Sequence, residues 1–263
     1  MGKFLQTLFL LLFAVFCLAY PIAVTGVAFD VRPSFSLSWA GSALLLLEGT
    51  LLIVGTMLLY GELRGLCAGL TVMVISYLLE AIGVQSGFPF GAYRYTDVLF
   101  PQLPGSVPLA VLFAWVLIIF SVYSWLLLEK QRLTIGRILI GALLATLLDM
   151  EIEPVATHLE HYWEWLAPGH VNYYGVPIMN FVAWFVVAWV LLFLIDRILP
   201  NMAEGPTRLV TLVPRLLFGL SLFMFGLVDL THGYYGAVVP GILASALLLY
   251  RYRRPFHTIP VLP

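Results

Sequence analysis

Six carboxylic acids lie within or at the ends of long apolar runs: Glu48, Glu80, Asp149, Glu151, Glu153 and Asp229. An ionisable group at membrane depth is costly unless it faces protein or water, so each is a candidate for function. Asp149 and Glu153 stand four residues apart and share one face of a helix, from which Glu151 points away. A pair of acids in that arrangement can do acid–base chemistry, one giving a proton and the other taking it. Desolvation and crowding by like charges favour the protonated form of some of them, and a protonated carboxylic acid facing an apolar cavity is a proton donor. Glu80 and Asp229 are the expected partners of that pair. Asn180, early in its own apolar run, is a hydrogen-bond donor for water or a carboxyl group. The rival is a purely structural network stapling helices together, because buried polar groups need partners in any protein. The common location of these acids and the scarcity of cations near them favour function. Glu151 and Glu164 are expected to be solvated rim residues, and His170 and His257 ordinary surface histidines.

The elements that must hold these residues follow from composition. The 263 residues are 62% apolar and 10% charged, with a mean hydropathy of +1.00. A soluble domain carries about 25% charge, so this composition reads as an integral membrane protein. With 13 Lys and Arg against 14 Asp and Glu there is no basic excess for nucleic acid. Apolar stretches long enough to cross about 30 Å of hydrocarbon lie near 5–28, 39–60, 65–84, 107–128, 136–153, 176–195, 212–230 and 234–250, the last two joined by a turn at Gly233. The expected fold is an all-α polytopic transmembrane bundle of about eight spans in a single domain, 1–263, with an uncleaved first helix. Cys17 and Cys67 have no metal-like spacing and are expected to be packing residues.

Sidedness follows from Lys and Arg. With the N-terminus inside, Lys3, Arg64, Lys130, Arg132, Arg137, Arg197, Arg208, Arg215, Arg251, Arg253 and Arg254 fall on the inner side and only Arg32 and Arg94 on the outer. Both termini are expected in the cytoplasm, and the membrane is expected to be the cytoplasmic one of a bacterium. The acids do the opposite and gather at the outer ends.

A weak parallel two-helix repeat adds to this. A displacement of 69 residues superposes Leu79-Glu80 on Leu148-Asp149, and Val107-Pro108 with Ala114-Trp115 on Val176-Pro177 with Ala183-Trp184. Between the paired spans run Gly87-Phe-Pro-Phe-Gly91-Ala-Tyr93-Arg94-Tyr95 and His161-Tyr162-Trp163-Glu164-Trp165, the latter continuing to Asn172-Tyr173-Tyr174-Gly175. Their Gly and Pro residues force a structured, non-helical path. An interfacial aromatic belt accounts for these rings whatever the function, and Arg94 can close the loop by pairing with a carboxylate. A carboxylate–histidine iron site from His158, Glu160, His161 and His232 with Asp149 and Glu153 is the minority reading, since five histidines fall short of repeated His-rich boxes.

Glu80-Ala-Ile-Gly-Val, Phe90-Gly-Ala-Tyr-Arg-Tyr, Leu148-Asp149, Ile152-Glu153-Pro-Val-Ala, Tyr162-Trp-Glu-Trp, Tyr174-Gly-Val-Pro-Ile-Met-Asn180-Phe and Trp184 resemble a family of integral membrane carotenoid-biosynthesis proteins, the cofactor-independent carotenoid 1,2-hydratases. The resemblance runs over most of the chain from the second to the eighth span. It implies addition of water, without a cofactor, to the terminal C1=C2 bond of an acyclic ψ-end group such as that of γ-carotene or lycopene. Such an alkene must be protonated at C2 and its tertiary cation captured by water. Asp149, Glu153, Glu80, Asp229 and Asn180 are the candidate catalytic residues, and Tyr93, Arg94, Trp163, Tyr173, Tyr174 and Trp184 the candidate substrate-binding residues. The expected partners are a carotenoid from the lipid phase, water and the membrane, with a carotenoid glycosyltransferase a further candidate. The competing readings are an iron-dependent lipid or carotenoid oxygenase or desaturase, a proton-coupled transporter and a pigment-binding scaffold.

Overall fold

The computed structural model describes residues 2–31, 33–34, 37–127, 132–199 and 208–252. Arg32, Lys130, Arg253, Arg254 and His257 lie outside the described residues. Eight helices run in order: α1 (Gly2–Ala28), α2 (Ala40–Tyr60), α3 (Glu62–Ser86), α4 (Leu109–Leu126), α5 (Ile135–Pro154), α6 (Ile178–Ile198), α7 (Arg208–Thr231) and α8 (Val238–Tyr252). Each expected span corresponds to one of them. The α1, α2, α3, α4, α6 and α7 helices are long and apolar enough to cross a membrane, since 18 to 27 residues reach about 27 to 40 Å. The α5 helix has 20 residues but carries three acids near its end, and α8 has 15. The last helix starts at Val238 rather than 234 because Gly233, at φ +83°, opens a turn that continues to Ala237.

The helices are amphipathic with respect to lipid rather than water. On α3, Leu70, Val74, Leu78 and Ile82 recur every four residues and are exposed, while Ala68, Val72, Ser76 and Glu80 are buried. A stripe of that length facing outward is compatible with hydrocarbon as the surrounding solvent. Cys17 and Cys67 are exposed, not packed in the core as expected; each lies on an outward helix face. The α4 helix is central and packs on α2, α3, α5 and α7.

At the carboxylate-rich end the helices are joined by short strands that composition gave no reason to expect: β1 (Tyr93–Tyr95), β2 (Gln102–Leu103), β3 (Val107–Pro108), β4 (Trp163–Trp165), β5 (Asn172–Tyr173) and β6 (Val176–Pro177). Strands β2 and β3 form one hairpin and β5 and β6 another. The second turns through Tyr174 and Gly175, at φ +51° and +80°, the two left-handed positions that a two-residue hairpin loop requires. Both hairpins deliver a buried Val-Pro, and Pro108 and Pro177 cap α4 and α6 with nearly the same backbone angles.

Strand β1 pairs antiparallel with β4, Arg94 opposite Glu164 at the midpoint. The two strands, 70 residues apart where the flanking helices are 69 apart, pair about their central residues and so define a local two-fold axis. On the same axis Trp115 and Trp184, which the 69-residue displacement superposes, stack face to face with ring centroids 3.8 Å apart and planes 13° apart. Packing is reciprocal as well, α3 against α6 and α4 against α5. The repeat is therefore a physical duplication, with both copies running the same way through the bundle.

Candidate active site

Two carboxyl groups are held in matching cradles. Glu80 accepts hydrogen bonds from Tyr93 (2.5 Å) and Tyr95 (2.8 Å) on one oxygen and from the indole of Trp115 (2.9 Å) on the other. Glu153 accepts from the indoles of Trp163 (3.0 Å) and Trp165 (3.1 Å) on Oε2 and from Asn180 (2.9 Å) on Oε1. The alternation of the strands puts the first and third residue of β1 and of β4 on the same face. That is why the pairs Tyr93/Tyr95 and Trp163/Trp165, each two residues apart, act together. Burial and the neighbouring Glu80 charge hold the hydroxyls of Tyr93 and Tyr95 above the usual phenol range, so both keep their protons and donate.

The Asn180 amide joins the pair read from the sequence. Its Nδ2 donates to Glu153 and, at 3.0 Å, to Oδ2 of Asp149. Glu80, Asp149, Glu153 and Asn180 are all buried. Asp149 Oδ1 has no hydrogen-bond partner among the described residues. Local chain geometry makes this possible: Pro154 removes a backbone donor, and the helix widens into a π-helical turn over Val155–Leu159, the kind of irregularity found at functional sites. That turn brings β4 back over Glu153.

These groups line a cavity of 1310 Å³, bounded mainly by α1, α2, α4, α5 and α7 and closed at its acidic end by Glu80 of α3, Asn180 and Trp184 of α6, and the rings of Trp115, Tyr93, Tyr95, Trp163 and Trp165. It exceeds the usual 300–1,000 Å³ of a small-molecule site and suits a long ligand. Val15 and Ile22 of α1 both line it and are exposed on the apolar flank of the bundle, so the cavity reaches the lipid-facing surface there.

Other residues singled out from the sequence lie elsewhere. Asp229 is fully buried on the far side of α5, where its charge acts on Glu151 and on Tyr173 rather than on the Asp149–Glu153 pair. Glu151, expected to be a solvated rim residue, is 1% exposed and is wedged against Gly226 and Gly241, whose missing side chains make room for it. Tyr173 packs on Phe181, and Tyr174 hydrogen-bonds Gly236 N–H; neither lines the cavity. Arg94 is exposed and pairs with Glu164 at 2.6 Å across the two-fold axis, closing the loop. His158, His161 and His232 each bond a backbone carbonyl. No group of three or more His, Cys, Asp or Glu is placed to hold a metal among the described residues.

Sequence reasoning left Tyr95 and Trp165 among ordinary belt aromatics and gave Trp115 no role beyond the repeat. The repeat is the signal that finds Trp115, as the counterpart of Trp184; Tyr95 and Trp165 lie 70 residues apart rather than 69, and only the strands bring them to matching positions.

No solved structure matches. A bisanhydrobacterioruberin hydratase of Haloarcula japonica is 31% identical over 135 residues, 49% of this chain and 45% of that protein, so the chain spans under half the length of the curated relative. Residues 40–249, most of the chain and both carboxyl cradles, match the profile of carotenoid biosynthesis proteins, and the chain belongs to that family.

Proposed function

We propose that the protein is a carotenoid hydratase, adding water across the terminal C1=C2 bond of an acyclic ψ-end group of the lycopene or γ-carotene type. The observation that carries this reading is the Asp149–Asn180–Glu153 bridge beneath an aromatic lid, at the end of an apolar cavity open to lipid. The relative named as a hydratase supports hydration as the reaction class.

Asp149 is the proton donor. Its Oδ2 is held by Asn180 while Oδ1 is free to carry a proton toward the cavity. Glu153 receives three N–H donors, a set that suits the ionised carboxylate. In the forward reaction the Asp149 proton passes to C2, the π electrons form the new C–H bond, and C1 becomes a tertiary cation. Flanking rings stabilise that cation by about 0.5 to 2 kcal/mol each; the Trp115–Trp184 stack, Tyr93 and Trp163 are available. Water attacks C1, and its proton goes to Glu153. Glu153 releases that proton to water and Asp149 takes one from water, which restores the starting state while Asn180 holds the two carboxyl groups in place. Glu80, in its own three-donor cradle, contributes fixed negative charge near the cation. Asp229 stays outside this chemistry.

The test is expression in a bacterial host that accumulates lycopene or γ-carotene, followed by mass analysis of extracted pigment. A species heavier by one water, absent with Asp149→Asn, is the expected result. Unchanged pigment with well-inserted protein refutes the substrate class, and gain of a single oxygen atom points to an oxygenase.

A further inference from the structure

Glu48 is a buried carboxyl that this chemistry does not use. It lies in α2, eight residues beyond Ala40 and so about 12 Å along the helix; it is 7% exposed and lines the cavity. It has no hydrogen-bond partner among the described residues. The charges of Glu80, Asp149 and Glu153 act on one another, whereas Glu48 acts on Tyr20 of α1.

The neighbouring polar groups show what is missing. Tyr20 directs its hydroxyl proton to the carbonyl of Leu220 (2.8 Å), and Ser221, the next residue along α7, directs its own to Leu217 (2.9 Å). Both hydroxyls line the cavity and offer it only lone pairs. This stretch of wall holds two hydroxyl oxygens whose protons are committed elsewhere and one carboxyl without a partner, within otherwise apolar surroundings. A pure polyene leaves it unsatisfied, and a buried polar group without a partner is costly. The group that completes it is an alcohol, which donates to the carboxyl or to one of the hydroxyl oxygens and accepts from the carboxyl's own O–H.

We infer that Glu48, with Tyr20 and Ser221, forms a hydroxyl-recognition subsite, and that the cavity prefers an acyclic carotenoid already carrying an alcohol over the pure hydrocarbon. This rests on the carotenoid reading of the cavity. Water could supply the same O–H, and the test separates the two sources.

The protein carrying Asp149→Asn, which blocks conversion, is purified from hosts accumulating either lycopene or a monohydroxylated acyclic carotenoid of the same chain length. Bound pigment per protein is read by absorbance. The hydroxylated pigment is expected to be retained roughly three- to tenfold better, the range of one hydrogen bond. Adding Glu48→Met brings the ratio to about one, and adding Glu48→Gln, which still donates and accepts, keeps part of the preference. A ratio near one with Glu48 intact overturns the subsite whether or not the variants fold, as does a preference that Glu48→Met leaves unchanged, the outcome expected if Glu48 binds only water. If neither pigment is retained and wild-type protein makes no hydrated product, the carotenoid reading fails together with the subsite. Hydrated product with a ratio of one removes the subsite alone.

Discussion

Asp149→Asn and Glu153→Gln are matched isosteric changes, and the site geometry sets different outcomes for them. Asn at 149 keeps an acceptor for the Asn180 amide, whose 3.0 Å bond is the single hydrogen bond Asp149 makes among the described residues, so stability should change by under about 1 kcal/mol. The variant cannot carry the proton. Loss of a positioned acid typically costs about 100- to 10,000-fold, or about 2.7 to 5.4 kcal/mol on the barrier. Gln at 153 meets three donors with one oxygen and one N–H₂. With its oxygen toward Trp163 and Trp165, its amide confronts Asn180; turned over, it abandons both indoles. An orphaned buried donor costs about 1 to 3 kcal/mol, so this variant loses stability as well as product. The assay pairs product yield in the lycopene-accumulating host with thermal denaturation of the detergent-purified protein. Asp149→Asn is expected to melt like wild type with product reduced to about one hundredth or less. An Asp149→Asn protein that keeps more than about a tenth of the product refutes the proton-donor assignment. One that loses product only because it aggregates supports a structural role instead.

Other consequences are simpler to check. Gly241→Ala would set its Cβ 1.9 Å from Glu151 Oε1 and should destabilise by about 1 to 3 kcal/mol as the buried acid is displaced; Gly219, with nothing within 4 Å of a Cβ, should accept Ala without loss. Trp115→Phe keeps a ring against Trp184 but strips the indole donor from Glu80, and its melting temperature should fall below that of Trp184→Phe, which removes no such bond. Arg94→Ala breaks only an exposed ion pair and should alter stability by under about 1 kcal/mol, leaving hydration intact; a large loss of product would mean that Arg94 meets substrate. A reporter fused after Pro263 should be cytoplasmic, and an external signal would invert the proposed orientation.

Much of the scaffold was legible because hydropathy reports burial in lipid directly: a run of about 20 apolar residues has few alternatives to a spanning helix. The Asp149–Glu153 pair was legible from helical periodicity. The strands were not, because two- and three-residue ladders carry too little pattern to register against aromatic and Gly-rich surroundings. Glu151 was misread as a rim residue, and Asp229 was grouped with the Asp149–Glu153 pair, for a related reason. Sequence placed them at the right end of their helices but not on a face relative to neighbouring helices, and α5 turns Asp149 toward the cavity while turning Glu151 toward α7 and α8. Arg94 illustrates the converse, since its bland reading, a loop-closing ion pair, is what the fold contains.

The duplication also explains where chemistry could arise. The displacement that carries Glu80 onto Asp149 and Trp115 onto Trp184 carries Val84 onto Glu153 and Val111 onto Asn180. The two copies therefore agree in the scaffold: a buried acid, a strand bearing two donor aromatics, and a tryptophan on the axis. They differ at the residues that complete the bridge. In the first copy the donors Tyr93, Tyr95 and Trp115 all converge on Glu80, which leaves it fully coordinated. In the second, an extra acid one helical turn farther on captures the strand donors Trp163 and Trp165, and the first-position acid, Asp149, is left with one bond and one free oxygen. A free oxygen beside a fully coordinated partner is the asymmetry that proton transfer needs. Two Val-to-polar differences within this frame build the bridge itself, so the reverse changes, Glu153→Val with Asn180→Val, should move the second copy toward the coordinated, unreactive state of the first, with Trp163 and Trp165 free to donate to Asp149.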